Sequence, residues 1–165
     1  NVWSRWCSSG ETTALTMEAN LSDRRELSLN VPICVEFEDI DAYHIVHHVK
    51  IVAYLERARL RLLRALGIDP LGLDVAPVLY DLRVRYRKPA KLGDQLDAIV
   101  TVWDHDDYRI ELRYRIRREG DTLVKATSII AFADIDEGGV VPIPEDVARG
   151  LRQGSLALLQ SENES

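Results

Sequence analysis

The feature that most constrains the fold is one long helical pattern set among strand patterns. Apolar residues recur at helical spacing from about Val46 to Leu66, and Gly67 followed by Asp69-Pro70 predicts the end of this helix. One alternating segment precedes the helix and four follow it. An antiparallel sheet with one apolar face needs a cover, and this helix is the only element able to supply it. We therefore predict an α+β domain in which an antiparallel five-stranded sheet wraps around a long central helix.

The strands are indicated by residues that alternate between apolar and polar. The first begins near Val31, with Ile33, Val35 and Phe37 on its apolar side. The others are predicted at 78–86, 95–103, 109–118 and 123–133. In 78–86 one face is apolar and the other is largely cationic. Turns are predicted at 89–94, 105–107 and 119–121.

The two ends of the chain differ from its middle. Residues 1–30 show no sustained apolar period and predict a flexible extension, in which no charged start leads into the apolar stretch of a signal peptide. Residues 31–150 predict the domain itself, and residues 151–165 a tail, with one short helix at 145–151. At 165 residues the chain can bury one core and is too short for two full-sized domains.

Composition excludes several classes of protein. A net charge of −6 argues against a general nucleic-acid binder, and no apolar run is long enough to span a membrane. Two cysteines, Cys7 and Cys34, are too few for a disulfide scaffold and fit a cytoplasmic protein. The excess of Arg over Lys, 17 to 4, is common in GC-rich bacteria. Residues 46–91 alone carry +6, which suits a ligand with phosphates, although solvated charged faces explain the same pattern.

The densest cluster of ionisable groups lies where the first strand meets the helix. It consists of Asp39, Asp41, His44, His47 and His48. The first turn of a helix offers unpaired N–H groups and the positive end of the helix dipole, which together suit an oxyanion. A carboxylate on the preceding loop can act there as nucleophile or general base. This short segment therefore has the groups that thioester cleavage requires.

Three motifs carry a resemblance to a known family. They are 35–42 (VEFEDIDA), 54–59 (YLERAR) and 83–94 (RVRYRKPAKLGD), with Val46, His48, Leu63 and Leu66-Gly67 between them. In order and spacing over about residues 31 to 135, they resemble hotdog-fold acyl-CoA thioesterases of the 4-hydroxybenzoyl-CoA thioesterase group. The resemblance implies the hotdog fold and hydrolysis of an acyl thioester of coenzyme A or of an acyl-carrier protein.

The resemblance also implies roles for individual residues. Asp41 matches the catalytic carboxylate, and the polarising backbone N–H falls at about His48, while Asp39 matches an acid that supports the loop. Tyr43, His44 and His47 are candidates for contact with the substrate. Arg87 and Lys88 are candidates for the phosphates at the pocket mouth. No metal or redox cofactor is expected, and the implied partners are further copies of the chain in a homodimer or in a homotetramer made of two dimers, with no nucleic acid or membrane.

The sequence departs from the family pattern at three positions. Many relatives have Gly after the Asp-Ala pair, where this chain has Tyr43-His44, and Lys50 stands where Asn is often found. Larger side chains at 43 and 44 are expected to narrow the pocket and to change the backbone angles of the loop. These departures leave the acyl group open.

Several other interpretations remain open from sequence. Asp41 could simply cap the helix or stabilise the loop, and Glu56 on the helix is a second candidate carboxylate. His44 and His48 with an acid imitate a metal site, the less favoured interpretation. On the same fold, a dehydratase or hydratase would use His44 or His47 with a carboxylate. A non-catalytic dimer that binds a thioester is expected if Tyr43 and His44 block the approach.

Overall fold

The computed structural model describes residues 27–66, 75–134 and 136–161, with the backbone alone from 154 to 161. The strands are β1 (Leu27–Cys34), β2 (Ala76–Tyr86), β3 (Gln95–His105), β4 (Arg109–Arg118), β5 (Asp121–Ala133) and the two-residue β6 (Val140–Val141). The helices are α1 (His48–Ala65), α2 (Glu145–Ser161) and a 3-10 turn at Phe37–Asp39. The predicted helix end at Gly67 to Pro70 lies outside the described residues.

The strands form one antiparallel sheet in the order β1-β3-β4-β5-β2, with β6 paired to β5. Consecutive strands β3, β4 and β5 are joined by short hairpins, as predicted, while β1 and β2 lie at opposite edges. Helix α1, between β1 and β2 in sequence, packs on the inner face of β1 and β3. The predicted hotdog architecture, an antiparallel sheet wrapped around a long helix, is confirmed.

Alternation along the central strands separates a buried inner face from an outer face. In β3, Leu96, Ala98, Val100 and Val102 are buried, and the residues between them point outward. The buried positions of β1 and β4 continue this core, which packs against Ile51, Leu55, Ala58 and Leu62 of α1. In the described parts of the chain, no helix is long and apolar enough to cross a membrane.

Several predicted boundaries are wrong. Strand β1 begins at Leu27, inside the predicted extension, and ends at Cys34, so Phe37 is not on its apolar side but 83% exposed. The reason is the 3-10 turn at Phe37–Asp39, which ends the alternation. Helix α2 continues to Ser161, past the predicted end of this helix at 151, and β6 was not predicted. The first 26 residues, which make up most of the predicted extension, lie outside the described part.

Strand β2 is an edge strand whose apolar residues are poorly covered. A bulge between Leu79 and Asp81 makes Tyr80 an extra residue, so Leu79, not Val78 or Tyr80, shares the inner side with Leu82 and Val84. The regular alternation predicted for 78–86 is wrong at this bulge. Leu79 is 45% exposed and Tyr80 is 64% exposed. A single copy of the chain therefore leaves Leu79 and Tyr80 exposed at one edge of its sheet, and we call these two residues the apolar strip.

The hairpin between β4 and β5 turns through two residues with positive φ, Glu119 at 49° and Gly120 at 87°. Two such angles define the type I′ turn that prefers Asn-Gly. We expect Glu119→Asn to raise the free energy of unfolding by about 0.5 kcal/mol, because Asn adopts the left-handed region more readily than Glu. Gly120→Ala is expected to lower it by about 1 kcal/mol through the backbone alone, since a Cβ there meets nothing within 4 Å. Urea unfolding of both variants checks these opposite signs.

Candidate active site

A tightly closed loop carries Asp41. A β-bridge between Ile40 and Val46 brings the two ends of the loop together. Inside it, the N–H of Asp41 donates to the carbonyl of Ile45 at 2.9 Å. Asp41 Oδ1 accepts the N–H of Tyr43 at 2.8 Å and the N–H of Ile45 at 3.4 Å. The carboxylate therefore holds the shape of the loop as an Asx turn, so Asp41 stabilises the loop and does not cap the helix, whose N-cap is His47.

Helix α1 begins directly after this loop. His47 is its N-cap and its Nδ1 accepts the N–H of Val49 at 3.2 Å, while the carbonyl of His47 accepts the N–H groups of Lys50 and Ile51. Within the described residues, the N–H of His48 has no acceptor. The first turn thus leaves one donor for a ligand, at the positive end of the helix dipole.

An open cleft of about 420 Å³ joins the loop, the helix start and the far end of the sheet. Asp41 and His48 line it on one side, and Arg87 and Lys88 line it at the end of β2. Its floor is apolar and includes Val46, Ile51, Ile116, Leu123 and Val124. Four of the predicted site residues are therefore brought together around one cleft.

The three other predicted residues do not line this cleft. Tyr43 is 83% exposed, and His44 is exposed on the same turn. His47 caps the helix, and its ring stacks on that of His48 with the centroids 4.3 Å apart. His44 has a φ of 61°, so this His keeps the left-handed backbone for which Gly is suited. The expected narrowing of the pocket by residues 43 and 44 is not observed in a single copy of the chain.

A buried carboxylate, Asp39, ties the loop to the helix. Its Oδ2 accepts the hydroxyl of Tyr54 at 2.7 Å and the N–H of Glu36 at 3.0 Å, and its Oδ1 lies 3.1 Å from Lys50 Nζ. Its carbonyl accepts the N–H of His47 at 2.8 Å. Burial raises the pKa of Asp39, but the hydrogen bonds from Tyr54, Glu36 and Lys50 outweigh it and bring the pKa below the ordinary value. Asp39 is thus a supporting residue, as the resemblance implied, and Lys50 is its ion-pair partner.

Sequence reasoning missed two tyrosines. Tyr54 belongs to the 54–59 motif, and its hydroxyl donates to Asp39; burial, followed by this hydrogen bond, raises the pKa of Tyr54 strongly. Tyr86 lines the cleft at the end of β2, and its hydroxyl donates to the carbonyl of His48 at 3.2 Å. The available signal for Tyr54 is that a Tyr has a polar hydroxyl, so a buried Tyr needs a partner; Tyr86 is 51% exposed and offers no such signal.

The second candidate carboxylate, Glu56, lies outside the cleft. It is exposed and pairs with Arg59 at 3.3 Å one turn along the helix. An ion-pair role follows for Glu56. Over the described ranges, no group of three or more His, Cys, Asp or Glu side chains is arranged to hold a metal ion.

Comparisons with known proteins identify the relatives of this chain. The model of the thioesterase-like superfamily matches residues 35–151. An acyl-CoA thioesterase, YbgC of Haemophilus influenzae, is 32% identical over 120 residues, which cover 70% of this chain and 88% of that protein. The acyl-CoA thioester hydrolase YbgC of Escherichia coli O6:H1 is 30% identical over 102 residues, which cover 60% of this chain and 76% of that protein.

Solved structures share the fold. A 1,4-dihydroxy-2-naphthoyl-CoA thioesterase from Synechocystis superposes with a TM-score of 0.71 at 18% identity, covering 74% of this chain and 94% of that one. A 4-hydroxybenzoyl-CoA thioesterase in complex with 4-hydroxybenzoyl-CoA superposes with a TM-score of 0.68 at 18% identity, covering 74% and 97%.

The Asp39 network makes a prediction about stability. Tyr54→Phe removes one donor to a buried carboxylate and is expected to lower the free energy of unfolding at pH 7 by about 1.5 to 3 kcal/mol. Because the folded pKa of Asp39 is below its ordinary value, its bonds stabilise the fold above about pH 4, and this contribution is lost as pH falls through the folded value. The difference in the free energy of unfolding between wild type and Tyr54→Phe should therefore be smaller at pH 3 than at pH 7, as measured by urea titration.

Tyr108→Phe is the matched control. Tyr108 is 47% exposed, and its hydroxyl has no hydrogen bond to any described residue. This variant should match wild type at both pH values. A loss in Tyr54→Phe that was equally large at pH 3 would contradict a charge-assisted bond to Asp39.

Proposed function

The chain belongs to the thioesterase-like superfamily, and we propose that its cleft hydrolyses an acyl thioester of coenzyme A or of an acyl-carrier protein. The observation that carries this proposal is that Asp41 and the N-terminus of α1 line the same apolar-floored cleft. The two YbgC relatives named as acyl-CoA thioesterases support the reaction class. The apolar floor suits an acyl chain or ring, because such a group gains free energy by leaving water.

In the proposed reaction the thioester carbonyl oxygen accepts the N–H of His48. That N–H has no other acceptor in the described residues, and its hydrogen bond strengthens as negative charge develops on the oxygen. Asp41 then acts in one of two ways. As general base, it takes a proton from a water whose oxygen attacks the carbonyl carbon. As nucleophile, its own oxygen attacks, and water later cleaves the resulting anhydride.

Both routes end with the same bond changes. In the general-base route the tetrahedral intermediate collapses, the C–S bond breaks, and the leaving thiolate takes the proton that Asp41 removed from water. In the nucleophilic route the C–S bond breaks as the anhydride forms, and the water that cleaves the anhydride supplies the proton of the thiol. The products are a carboxylic acid and a free thiol. Asp41 suits either role, because the Asx turn fixes its carboxylate through Oδ1 alone in the described hydrogen bonds.

The cations at the cleft suit the phosphates of coenzyme A, as proposed from the resemblance. Arg87 is exposed and has no ion pair with any described residue. Lys88 is already paired with Asp121 at 2.6 Å, and both side chains are more than half exposed. Arg87 is therefore the better candidate of the two.

We further propose that the working unit is a homodimer in which two β2 edges join. The uncovered apolar strip on β2 supports this pairing, since an exposed edge strand with apolar side chains is a template for association. Tyr86 and Lys88 follow the same edge, so a partner there would border the cleft. A homotetramer and a cytoplasmic location stay predictions from the sequence.

The two alternatives from sequence have less support. His44 and His47, the candidates for a dehydratase or hydratase, are outside the cleft. Asp41 lines the cleft whereas Tyr43 and His44 do not, so the geometry gives no support to the blocked approach of a non-catalytic binder. Hydrolysis is therefore the function that the geometry supports best.

The first test concerns Asp41. Asp41→Asn keeps an oxygen for the N–H groups of Tyr43 and Ile45 but removes the charge and the basicity, so kcat should fall about 100-fold or more while the fold persists. The measurement is hydrolysis of a panel of short, long and aromatic acyl thioesters. Asp106→Asn is the matched control, because Asp106 also accepts two backbone N–H groups, of Tyr108 and Arg109, in a turn outside the cleft. Full activity in Asp41→Asn would reject the mechanism.

The second test concerns the dimer. Leu79→Lys places a charge in the apolar strip and is expected to shift the protein from dimer to monomer in sedimentation velocity at micromolar concentration. Leu92→Lys is the control, because Leu92 is 56% exposed in the turn after β2 and away from the strip. A wild-type protein that sediments as a monomer would reject the proposed pairing.

A further inference from the structure

The outer face of the sheet, turned away from α1, carries a cluster of cations. Two neighbouring rows of residues cross all five long strands there, in the order β2, β5, β4, β3, β1. One row is Arg85, Lys125, Arg115, Ile99 and Asn30, and the next is Arg83, Thr127, Arg113, Thr101 and Ser28. These ten positions hold five cations and no acid. We call Arg83, Arg85, Arg113, Arg115 and Lys125 the outer cationic patch.

Repulsion among the cations of the patch destabilises the folded sheet. Lys125 lies directly opposite Arg85 on one side and Arg115 on the other. Like charges at directly opposed positions of neighbouring strands destabilise a sheet. Arg113 stacks on the Trp103 ring and pairs with Glu111, but the other four have no ion pair to any described residue. The next row of the same face carries Asp81, Glu111 and Asp104, yet these four cations form no ion pair within the described residues, so they can attract a partner with negative charge.

The patch and the cleft are two faces of the same piece of sheet. Each cation of the first row is next in sequence to a residue that lines the cleft. These neighbouring pairs are Arg85 and Tyr86, Arg115 and Ile116, and Lys125 and Val124. Two residues beyond Arg85, Arg87 lines the cleft itself. The patch therefore reaches the mouth of the cleft around the end of β2.

The charge pattern selects among possible occupants. A second copy docked by the same face would set cation against cation, which is unfavourable for a two-fold contact. A long nucleic acid would be repelled by the remainder of a chain whose net charge is −6. A compact protein with an acidic face would contact the patch alone, and its complementary charge would both attract and orient it.

We propose that the outer cationic patch docks an acidic acyl-carrier protein, whose pantetheine arm enters the cleft past Arg87. This inference rests on the proposed function, because it names the carrier from which the cleft receives its thioester. The acidic face of the carrier neutralises Arg83, Arg85, Arg115 and Lys125 and thereby offsets their mutual repulsion.

The test compares one acyl group on two carriers. For Arg115→Glu/Lys125→Glu, KM for the acyl-carrier protein should rise on the order of tenfold, while kcat and the KM for the matching acyl-CoA stay within about twofold of wild type. Arg61→Glu/Arg64→Glu makes the same change of charge at exposed positions of α1 and should leave both substrates unaffected. A parallel rise in both KM values would assign the patch to coenzyme A phosphates and overturn the proposal, as would no change in either.

A single variant separates docking from folding. Arg115→Glu faces Lys125 with an opposite charge, so its unfolding temperature should rise while its affinity for the carrier falls. A fall in both the unfolding temperature and the affinity for the carrier would indicate a structural role for Arg115 and overturn the proposal.

Direct binding keeps the two proposals distinguishable. Fluorescence anisotropy with labelled holo-acyl-carrier protein should show binding to wild type, weakened by added salt and by Arg115→Glu/Lys125→Glu, whether or not hydrolysis is observed. Hydrolysis of acyl-CoA without any binding of the carrier would overturn the docking surface and leave the proposed function standing. Binding of duplex DNA by wild type that the double variant loses would overturn the choice of partner.

Discussion

The candidate site depends on the hydrogen bonds and the ion pair that one buried carboxylate, that of Asp39, forms. Only 6% of this residue is exposed, and a charge at such a position is tolerated only where donors surround it. Its donors come from three places: the 3-10 turn at Glu36, the first turn of α1 at Lys50 and the middle of α1 at Tyr54. Satisfying one carboxylate therefore fixes the loop of Asp41 against the start of the helix. The donor at His48 and the acid at Asp41 then line one cleft.

The antiparallel sheet supplies the remaining walls, and its alternation gives its two faces different chemistry. Ile116 and Val124 point to the cleft, whereas Arg115 and Lys125, one position away, point to the outer face. At the β2 edge the cover provided by α1 ends, because this helix packs on β1 and β3 at the other side of the sheet. On the inner face of β2, Leu82 and Val84 still pack against the core but Leu79 stays exposed, which supports the proposed pairing with a second copy of the chain.

Local patterns predicted the elements well where a single rule governs them. The strand Arg109–Arg118 agrees residue by residue, and α1 differs from its predicted start by two residues, because periodicity reports which residues face a core. The prediction was wrong where a local hydrogen bond overrides the pattern. Phe37 continues an apolar alternation in sequence, yet the Asp39-Glu36 bond turns the chain outward there. The bulge at Tyr80 likewise shifts a register that the sequence shows as unbroken.

The sequence by itself determined the helix and the strands, the cluster of ionisable groups at their junction and the family, because periodicity and motif spacing are properties of neighbours along the chain. Only the tertiary structure decided which of those groups meet. It brought Asp41, His48, Arg87 and Lys88 to one cleft, made His47 a helix cap and left Tyr43 exposed. It also aligned Arg85, Lys125 and Arg115 from three strands into one row. Strand register sets such meetings between residues far apart in sequence, and a difference of one residue would move every side chain to the other face.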